Sequence, residues 1–271
     1  MQAITPKISI IIPCYNMGAY LQETLDSVSS YPNKNDYEII IINDGSSDIP
    51  TLELLKKIEQ QGFYVLNQEN QGLAKARNNG IKLAKADYIL PLDADNKIRH
   101  PYITESIKIL ETHPDIDVVY GNKQHFDEDN KLVNVPDFDF PLLCNKNYID
   151  ACAVYRKSIW NKVNGYDERM PVMGYEDWDF WLRCALQGGK FYHFKEVTFD
   201  YRVRGNSMIN DTNKNYDIIL NYMLNKKELS VVKAVRTSQM EARKAFHLQN
   251  SLEYKLGKLL LKPFRILLKN K

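Results

Sequence analysis

The feature that most constrains the fold is a series of continuously apolar runs that alternate with helical patterns in the first 95 residues. The runs Ile8–Ile12 and Ile39–Ile42 are rich in β-branched residues and lack polar alternation, which indicates strands buried on both faces. Strands are predicted over residues 7–13, 37–42, 63–66 and 87–92, with helices over 18–30, 48–60 and 72–86. This alternation predicts an α/β fold in which helices flank a mostly parallel sheet.

Polar residues follow three of these strands where each strand ends. They are Cys14-Tyr15-Asn16, the cluster Asn43–Asp48 and the stretch Asp93-Ala94-Asp95. In open α/β sheets, ligands bind beyond the carboxyl ends of the strands, so these residues are expected along one edge. Taken alone, Asp93 and Asp95 fit an acidic turn better than a ligand site.

The second half of the chain has a weaker pattern. A helix is predicted over 101–112 and a strand over 116–120, whereas 121–149 reads as loop or edge strand. Further helices are predicted over 157–163 and 175–187, short strands over 191–194 and 197–203, and mostly helix after Ser207.

The composition is that of a globular chain with a core, since 44% of its 271 residues are hydrophobic. The four scattered cysteines form no C-x-x-C motif and fit a reducing, cytoplasmic compartment. The first residues lack a signal-peptide layout, and no stretch of 18 uncharged apolar residues predicts a spanning helix. Residues 231–271 carry ten Lys or Arg and two Glu, giving +8, while the preceding 230 residues carry −6.

Five motifs occur in a recognisable order, at residues 10–16, 41–48, 70–78, 92–95 and 174–183. Together they closely resemble the family 2 glycosyltransferases of the GT-A (Rossmann-like) fold, over roughly residues 6–205. The resemblance implies transfer of a sugar from a nucleoside diphosphate, with UDP the expected nucleotide, to a hydroxyl, with inversion at the anomeric carbon. It also implies a GT-A domain over 1–206, with a nucleotide-binding half (1–95) and an acceptor half (96–206). A helical C-terminal extension would occupy 207–271.

By the same resemblance, the donor is expected to contact Pro13, Tyr15, Asp44, Arg77, Asp93, Ala94 and Arg204. Asp44 would accept a hydrogen bond from the base, and Arg77 would reach the base or the phosphates. Each has a plainer interpretation. Asp44 is also placed to cap the next helix, Pro13 to end a strand, and Arg77 to be a solvated charge on a helix.

Asp93 and Asp95 lie two residues apart, so on an extended segment both face the same side. Carboxylate oxygens suit Mg²⁺ or Mn²⁺, which would be shared with the substrate phosphates. The resemblance implies that Asp95 binds the metal and that Asp93 reaches the ribose. Two positions depart from the family pattern: Asn96 stands where a third acid is common, and Arg204 where relatives often carry histidine. An arginine cannot ligate a cation, so Arg204 either clamps the diphosphate or is an exposed charge.

The family resemblance makes Asp177 the catalytic base, with Glu176 supporting it or contacting the acceptor. Adjacent carboxylates raise each other's pKa, whereas the start of a helix favours the ionised form, and the sequence does not decide between these effects. Trp178 and Trp181 are candidates for stacking on an acceptor sugar, and Trp181 is equally a core residue. The plainer interpretation is that Glu176 and Asp177 are ordinary first-turn acids.

The last 20 residues, 252–271, interleave leucines with lysines at helical spacing, interrupted at Pro263. They are predicted to lie on an anionic membrane surface or, alternatively, to pack on the body or on a second subunit of a homodimer. No nucleic-acid-reading module is recognisable. The expected protein is a cytoplasmic or peripheral membrane enzyme of surface polysaccharide synthesis, acting on a glycan or lipid-linked acceptor. A sugar nucleotidyltransferase, or a non-catalytic nucleotide- or carbohydrate-binding protein, is the alternative.

Overall fold

The computed structural model describes residues 5–205, 212–252, 254 and 256. Its first half alternates strand and helix as the sequence predicts. The elements are β1 (Ile8–Cys14), α1 (Gly18–Ser29), β2 (Tyr37–Asp44), α2 (Ile49–Gln60), β3 (Tyr64–Gln68), α3 (Leu73–Leu83) and β4 (Tyr88–Pro91).

The second half contains shorter strands and the C-terminal helices. In chain order they are β5 (Lys97–Ile98), α4 (Tyr102–Thr112), β6 (Val118–Asp127), β7 (Leu132–Val133), α5 (Phe140–Leu143), β8 (Val154–Arg156), α6 (Lys157–Lys162), α7 (Glu176–Leu186), β9 (Phe191–Val203), α8 (Tyr216–Leu224), a 3₁₀ turn (Lys227–Leu229) and α9 (Ser230–Asn250).

Within the described residues, nine strands form one sheet in the order β3-β2-β1-β4-β8-β6-β9-β5, with β7 paired to β6. Strands β1 to β4 pair in parallel, as predicted from their continuous apolar sequences. β8 runs antiparallel to both β4 and β6, while β6 and β9 are parallel to each other. The sheet is therefore parallel in the half formed by β1 to β4 and mixed in the other half.

All seven residues of β1 are buried, because helices cover both faces of the sheet. Ile11 belongs to the hydrophobic cluster on one face, whereas Ile10 and Ile12 belong to the cluster on the other. Gly80 lets α3 approach the sheet closely, since a Cβ there would lie 2.6 Å from the side chains of Ile11 and Ile42. This close packing fixes the helix that carries Arg77.

Three details differ from the sequence prediction. β6 continues to Asp127, through part of the segment predicted as loop or edge strand, because its polar residues pair with β9 rather than forming an apolar run. The two short strands predicted near residues 191–203 are one 13-residue strand, β9, with register shifts beside Gly121 and Asn122. The three-residue strand β8 was not predicted.

The C-terminal extension begins by packing into the main core. Ile219, Met223, Leu229 and Val232 are buried in the cluster that also contains Trp178. Lys226 joins this region to the rest of the protein, because its Nζ lies 2.5 Å from carboxylates of both Asp167 and Asp179. The predicted domain boundary at 206/207 lies outside the described residues.

Further along α9, the side chains of residues 241–250 are all exposed. Most of the predicted basic tail, 252–271, lies outside the described residues. In the part of the chain that the structure describes, no helix combines the length and apolarity needed to cross a membrane.

Candidate active site

The loops after β1 and β2 are tied together at the carboxyl edge of the sheet. The backbone N–H groups of Asn16 and Ser47 donate to Ser46 Oγ (3.0 Å) and to Asn16 Oδ1 (2.8 Å). Asn16 adopts a left-handed conformation with φ 55°, which this polar residue tolerates. Tyr15 projects beside it and is 46% exposed, so its ring is available to a ligand. Pro13 is buried within β1, which favours its structural interpretation.

Asp44 ends β2 and holds the segment that leads into α3. Its carboxylate accepts hydrogen bonds from Gln68 Nε2 (2.7 Å) and from the backbone N–H groups of Gln71 and Gly72 (both 2.9 Å). Asp44 is therefore not the cap of helix α2, a role that Asp48 takes by accepting from Thr51 N. Asp44 is 4% exposed, and its three donors fix the position of its carboxylate at the sheet edge.

Arg77 connects the two halves of the site. Its Nη2 donates to Asp93 Oδ1 (2.7 Å), and its Nη1 donates to Glu176 Oε1 (2.5 Å). The residue is 1% exposed, so it is not the solvated helix charge considered from the sequence. Each terminal nitrogen of Arg77 donates to a carboxylate inside the protein, and the expected reach of Arg77 to the donor stays a prediction.

The Asp93–Asn96 stretch forms a tight turn directly after β4. Asn96 N donates to Asp93 O (3.0 Å), and the Thr24 hydroxyl lies 2.9 Å from Ala94 O and 2.8 Å from Asn96 O. Asn96 is buried, and its Oδ1 accepts from the backbone N–H of Arg202 on β9 (3.0 Å). The Asn96 amide therefore anchors the acidic turn to the neighbouring strand. Ala94 is itself buried, and its expected contact with the donor stays a prediction.

Asp95 is paired with Arg204, the second residue that departs from the family pattern. Arg204 Nη2 donates to Asp95 Oδ2 at 2.6 Å, and the guanidinium lies 4.9 Å from the centroid of the Tyr20 ring. Both side chains are 16% exposed, which excludes the exposed-charge interpretation of Arg204. Burial raises the pKa of Asp95, the nearby Asp93 carboxylate raises it further, and Arg204 opposes both.

The donor set here fits a divalent cation only in part. Two hard carboxylates at a strand end are suitable, since Mg²⁺ is commonly held by one or two carboxylates together with substrate phosphates. However, the described residues contain no group of three or more His, Cys, Asp or Glu side chains arranged to hold a metal. The protein's contribution would therefore come from Asp95, with Asp93 next to it, and the remaining ligands from the donor and water.

Asp177 stands in the first turn of α7, after a turn that requires unusual backbone. Gly174 has φ 110°, and a Cβ there would lie 2.2 Å from Thr212 Oγ1. Tyr175 is left-handed with φ 58°. Burial raises the pKa of Asp177 to about 7, with further contributions from the negative charges of Glu176 and Asp150. Burial and the neighbouring negative charges thus raise the pKa of Asp177 despite its place at the start of a helix, which would favour the ionised form. The sequence alone did not decide between these effects.

The other acidic and aromatic residues of this motif face inward. Glu176 is 5% exposed and accepts from Arg77 through one oxygen and from Gly174 N (3.1 Å) through the other. Trp178 is 1% exposed, and its indole N–H donates to Leu143 O (2.6 Å). Neither side chain offers a free surface in this structure, and the expected contacts of Glu176 and Trp178 with an acceptor stay predictions. Trp181 is fully buried, as its core interpretation required.

The structure joins three of the predicted residues through one network of ion pairs. Asp93, Arg77 and Glu176 form a continuous chain of ion pairs from the end of β4 to the start of α7. Asp44 and Tyr15 lie on the nucleotide side of the same edge without a direct bond to this chain. Sequence reasoning missed Asn147, and the pair formed by Lys123 and Asp150 with an N–O distance of 2.8 Å. These residues lie on β6 and in the loop before β8, where no motif or periodicity marks them.

Comparison with known proteins agrees with this geometry. A family model described as glycosyl transferase family 2 matches residues 9–185. The chondroitin synthase of Pasteurella multocida is 26% identical over 83% of this chain and 24% of that protein, and a hyaluronan synthase of the same species is 24% identical over 97% and 28%. This chain therefore spans about a quarter of the length of those two relatives. The uncharacterized glycosyltransferase YwdF of Bacillus subtilis is 33% identical over 70% of this chain and 71% of that protein.

Among solved structures, residues 1–349 of S. aureus TarS in complex with UDP-GlcNAc superpose with a TM-score of 0.66 at 19% identity. The match covers 92% of this chain and 77% of that chain, and it confirms the predicted GT-A fold class. The family match confirms the predicted resemblance to the family 2 glycosyltransferases, rather than to a sugar nucleotidyltransferase. The chain belongs to glycosyl transferase family 2.

Proposed function

We propose that this enzyme transfers a sugar from a UDP-sugar to a hydroxyl of a glycan or lipid-linked saccharide, with inversion, in surface polysaccharide synthesis. The observation that carries the proposal is the link from the acidic turn to the base candidate: Asp177, with its pKa near 7, adjoins the Asp93–Arg77–Glu176 chain. The names of the Pasteurella synthases and the UDP and UDP-GlcNAc complexes of TarS support the substrate class.

The donor's nucleoside would lie against Tyr15 and the fixed carboxylate of Asp44, which would accept a hydrogen bond from an N–H of the uracil. Asp93 would reach the ribose, while its ion pair with Arg77 holds the Asp93 carboxylate in place. Arg204 would contact the diphosphate, since its guanidinium lies at the acidic turn and carries the charge suited to phosphate oxygens.

Asp177 would remove the proton from the acceptor hydroxyl as that oxygen attacks the anomeric carbon. A base with a pKa near the working pH exists partly ionised and accepts a proton readily, which suits general-base catalysis. Glu176, held by Arg77 and Gly174 N, would act on Asp177 through its charge rather than by touching the acceptor.

Mn²⁺ or Mg²⁺ would be held by Asp95 together with the donor diphosphate. When bound, it would neutralise charge on the departing diphosphate. Arg204 pairs with Asp95 through Oδ2, so the cation would compete with this guanidinium or bind through Oδ1.

Turnover of a panel of nucleotide sugars, with Mn²⁺ and with chelator, tests the donor class and the metal together. The Asp177→Asn variant should lose transfer while keeping nucleotide affinity within a few-fold, and retained turnover would remove Asp177 as the base. The Asp95→Ala variant should weaken metal-dependent UDP binding. Equal UDP binding by wild type and variant, with and without Mn²⁺, would refute the metal role.

For localisation, we propose a cytoplasmic enzyme that associates with an anionic membrane surface through residues 252–271. The charge of +8 over residues 231–271 supports this, as does the exposure of Phe246, Leu248 and Leu252. Deleting 252–271 should release the protein from anionic liposomes without stopping transfer to a soluble acceptor. If the full-length protein does not bind liposomes and sediments as a dimer, the tail is assigned to the homodimer instead.

A further inference from the structure

The loop between α5 and β8 places an amide against the base candidate. Asn147 Nδ2 donates to Asp177 Oδ1 at 3.0 Å. The backbone N–H of Trp178 donates to the same oxygen at 2.7 Å. Within the described residues, both hydrogen bonds to the Asp177 carboxylate thus reach Oδ1, which leaves Oδ2 as the oxygen for the acceptor.

The second polar atom of Asn147 indicates how this amide is used. Asn147 Oδ1 is buried and has no hydrogen-bond partner among the residues that the structure describes. Leaving the carbonyl oxygen of Asn147 without a partner costs free energy. The hydrogen bond from Asn147 Nδ2 to Asp177 is therefore the contact that sets the orientation of this amide. That bond goes to a carboxylate, the strongest acceptor nearby, and it favours the ionised form of Asp177.

The remaining charged groups around Asp177 mostly oppose its ionisation. Glu176 on the same helix and Asp150 in the Asn147 loop raise its pKa, whereas Arg77 on α3 lowers it. Lys123 on β6 also faces the site and is paired with Asp150. Tyr166, Tyr175 and Tyr201 are the titratable tyrosines close enough to interact with Asp177. Among the described residues, Asn147 is the uncharged side chain that donates a hydrogen bond directly to the Asp177 carboxylate.

We infer that Asn147 is a positioning residue for the transfer reaction, which holds Asp177 Oδ1 and so presents Oδ2 as the oxygen that takes the acceptor proton. The inference rests on the proposed function in assigning Asp177 as the base. The covalent chemistry is unchanged: the proton of the acceptor hydroxyl passes to Oδ2, and the acceptor oxygen forms the new glycosidic bond as the diphosphate leaves.

The test compares Asn147→Ala and Asn147→Asp with the wild type and with Lys146→Ala, an exposed neighbour in the same loop. Asn147→Ala removes the donor, and Asn147→Asp replaces it with a second negative charge of almost the same shape. The acidic limb of the kcat profile should move to higher pH by about one unit in the alanine variant and further in the aspartate variant. The KM for the donor should stay within about twofold, and Lys146→Ala should follow the wild type.

A second readout does not depend on turnover. The infrared band of the protonated Asp177 carboxyl, identified by its loss in Asp177→Asn, should titrate at higher pH in both Asn147 variants. An unchanged titration in Asn147→Asp would overturn the inference even if activity fell, since the loss would then be structural. A wild type that transfers no sugar would instead refute the proposed function, while the infrared titration would still decide the role of Asn147.

Discussion

Replacing the base candidate with its amide should make the protein more stable while removing its activity. The ordinary pKa of an aspartate is 3.8, and that of Asp177 is about 7 in the folded protein. Each tenfold change in proton affinity corresponds to 1.36 kcal/mol, so an ionised Asp177 costs the folded state up to about 4 kcal/mol. Water screens part of this cost because the side chain is partly exposed, so we expect Asp177→Asn to gain about 1–3 kcal/mol at pH 8.

The sign of the pH dependence follows from the direction of the pKa change. A carboxyl whose pKa is raised by folding binds its proton more tightly in the folded state, so stability falls as the pH rises from about 4 to about 7. The asparagine variant lacks this dependence. Its advantage should therefore be small at pH 4.5, grow through pH 7 and remain constant above it.

Urea unfolding of both proteins at several pH values measures this difference, with the Asp179→Asn variant as a contrast. Asp179 is fully buried in the same helix but paired with Arg183 and Lys226, so its replacement should destabilise the protein at every pH. If Asp177→Asn gains the same stability at pH 4.5 and pH 8, or gains none, the pKa of Asp177 is not raised by folding and this reasoning is refuted.

Three further predictions concern the rest of the site and its support. Arg204→His replaces the ion-pair partner of Asp95 with an imidazole, which can ligate a metal. The Mn²⁺ affinity, measured by electron paramagnetic resonance, should therefore rise about tenfold. Weaker Mn²⁺ binding by the variant would show that Arg204 assists binding of the cation. Lys226→Met removes the nearer of the two cations beside buried Asp167 and should cost about 3–5 kcal/mol in urea unfolding, whereas the exposed Lys227→Met should cost little. Asp44→Asn places an amide N–H group against the N–H donors of Gln68, Gln71 and Gly72, so the free energy of unfolding should fall by about 1–3 kcal/mol. Calorimetry should also show weaker UDP binding. An unchanged UDP affinity would assign Asp44 a purely structural role.

The sequence predicted the nucleotide-side half of the fold well, and the reason is physical. Strands β1 and β2 are buried on both faces, so their composition is set by the core and reads clearly as continuous apolar runs. The polar half of β6 and the three-residue β8 are held by pairing with neighbours distant in sequence. Their residues carry little local signal, and this half of the sheet could not be predicted in detail.

The candidate site divides in the same way. The positions of Asp44, Asp93, Asp95 and Asp177 could be predicted because motifs of fixed spacing place them at the ends of elements. What each side chain contacts could not, since Arg77 and Glu176 meet across 99 positions of sequence and Arg204 and Asp95 across 109. Trp178 shows the limit most clearly: its motif suggested an acceptor wall, but the packing of α7 against α5 and the C-terminal helices buries it.

The ion pairs of Lys226 with Asp167 and Asp179 have a consequence for folding during synthesis. The family match ends at residue 185, yet the helix that carries the base candidate is completed by side chains from residues 219 to 232. The region that matches the family and the region that packs around α7 therefore end at different residues. During synthesis, α7 would emerge from the ribosome long before Lys226, with Asp167 and Asp179 still lacking their shared cation. The synthesis of residues 219–232 would then determine when α7 gains its full packing.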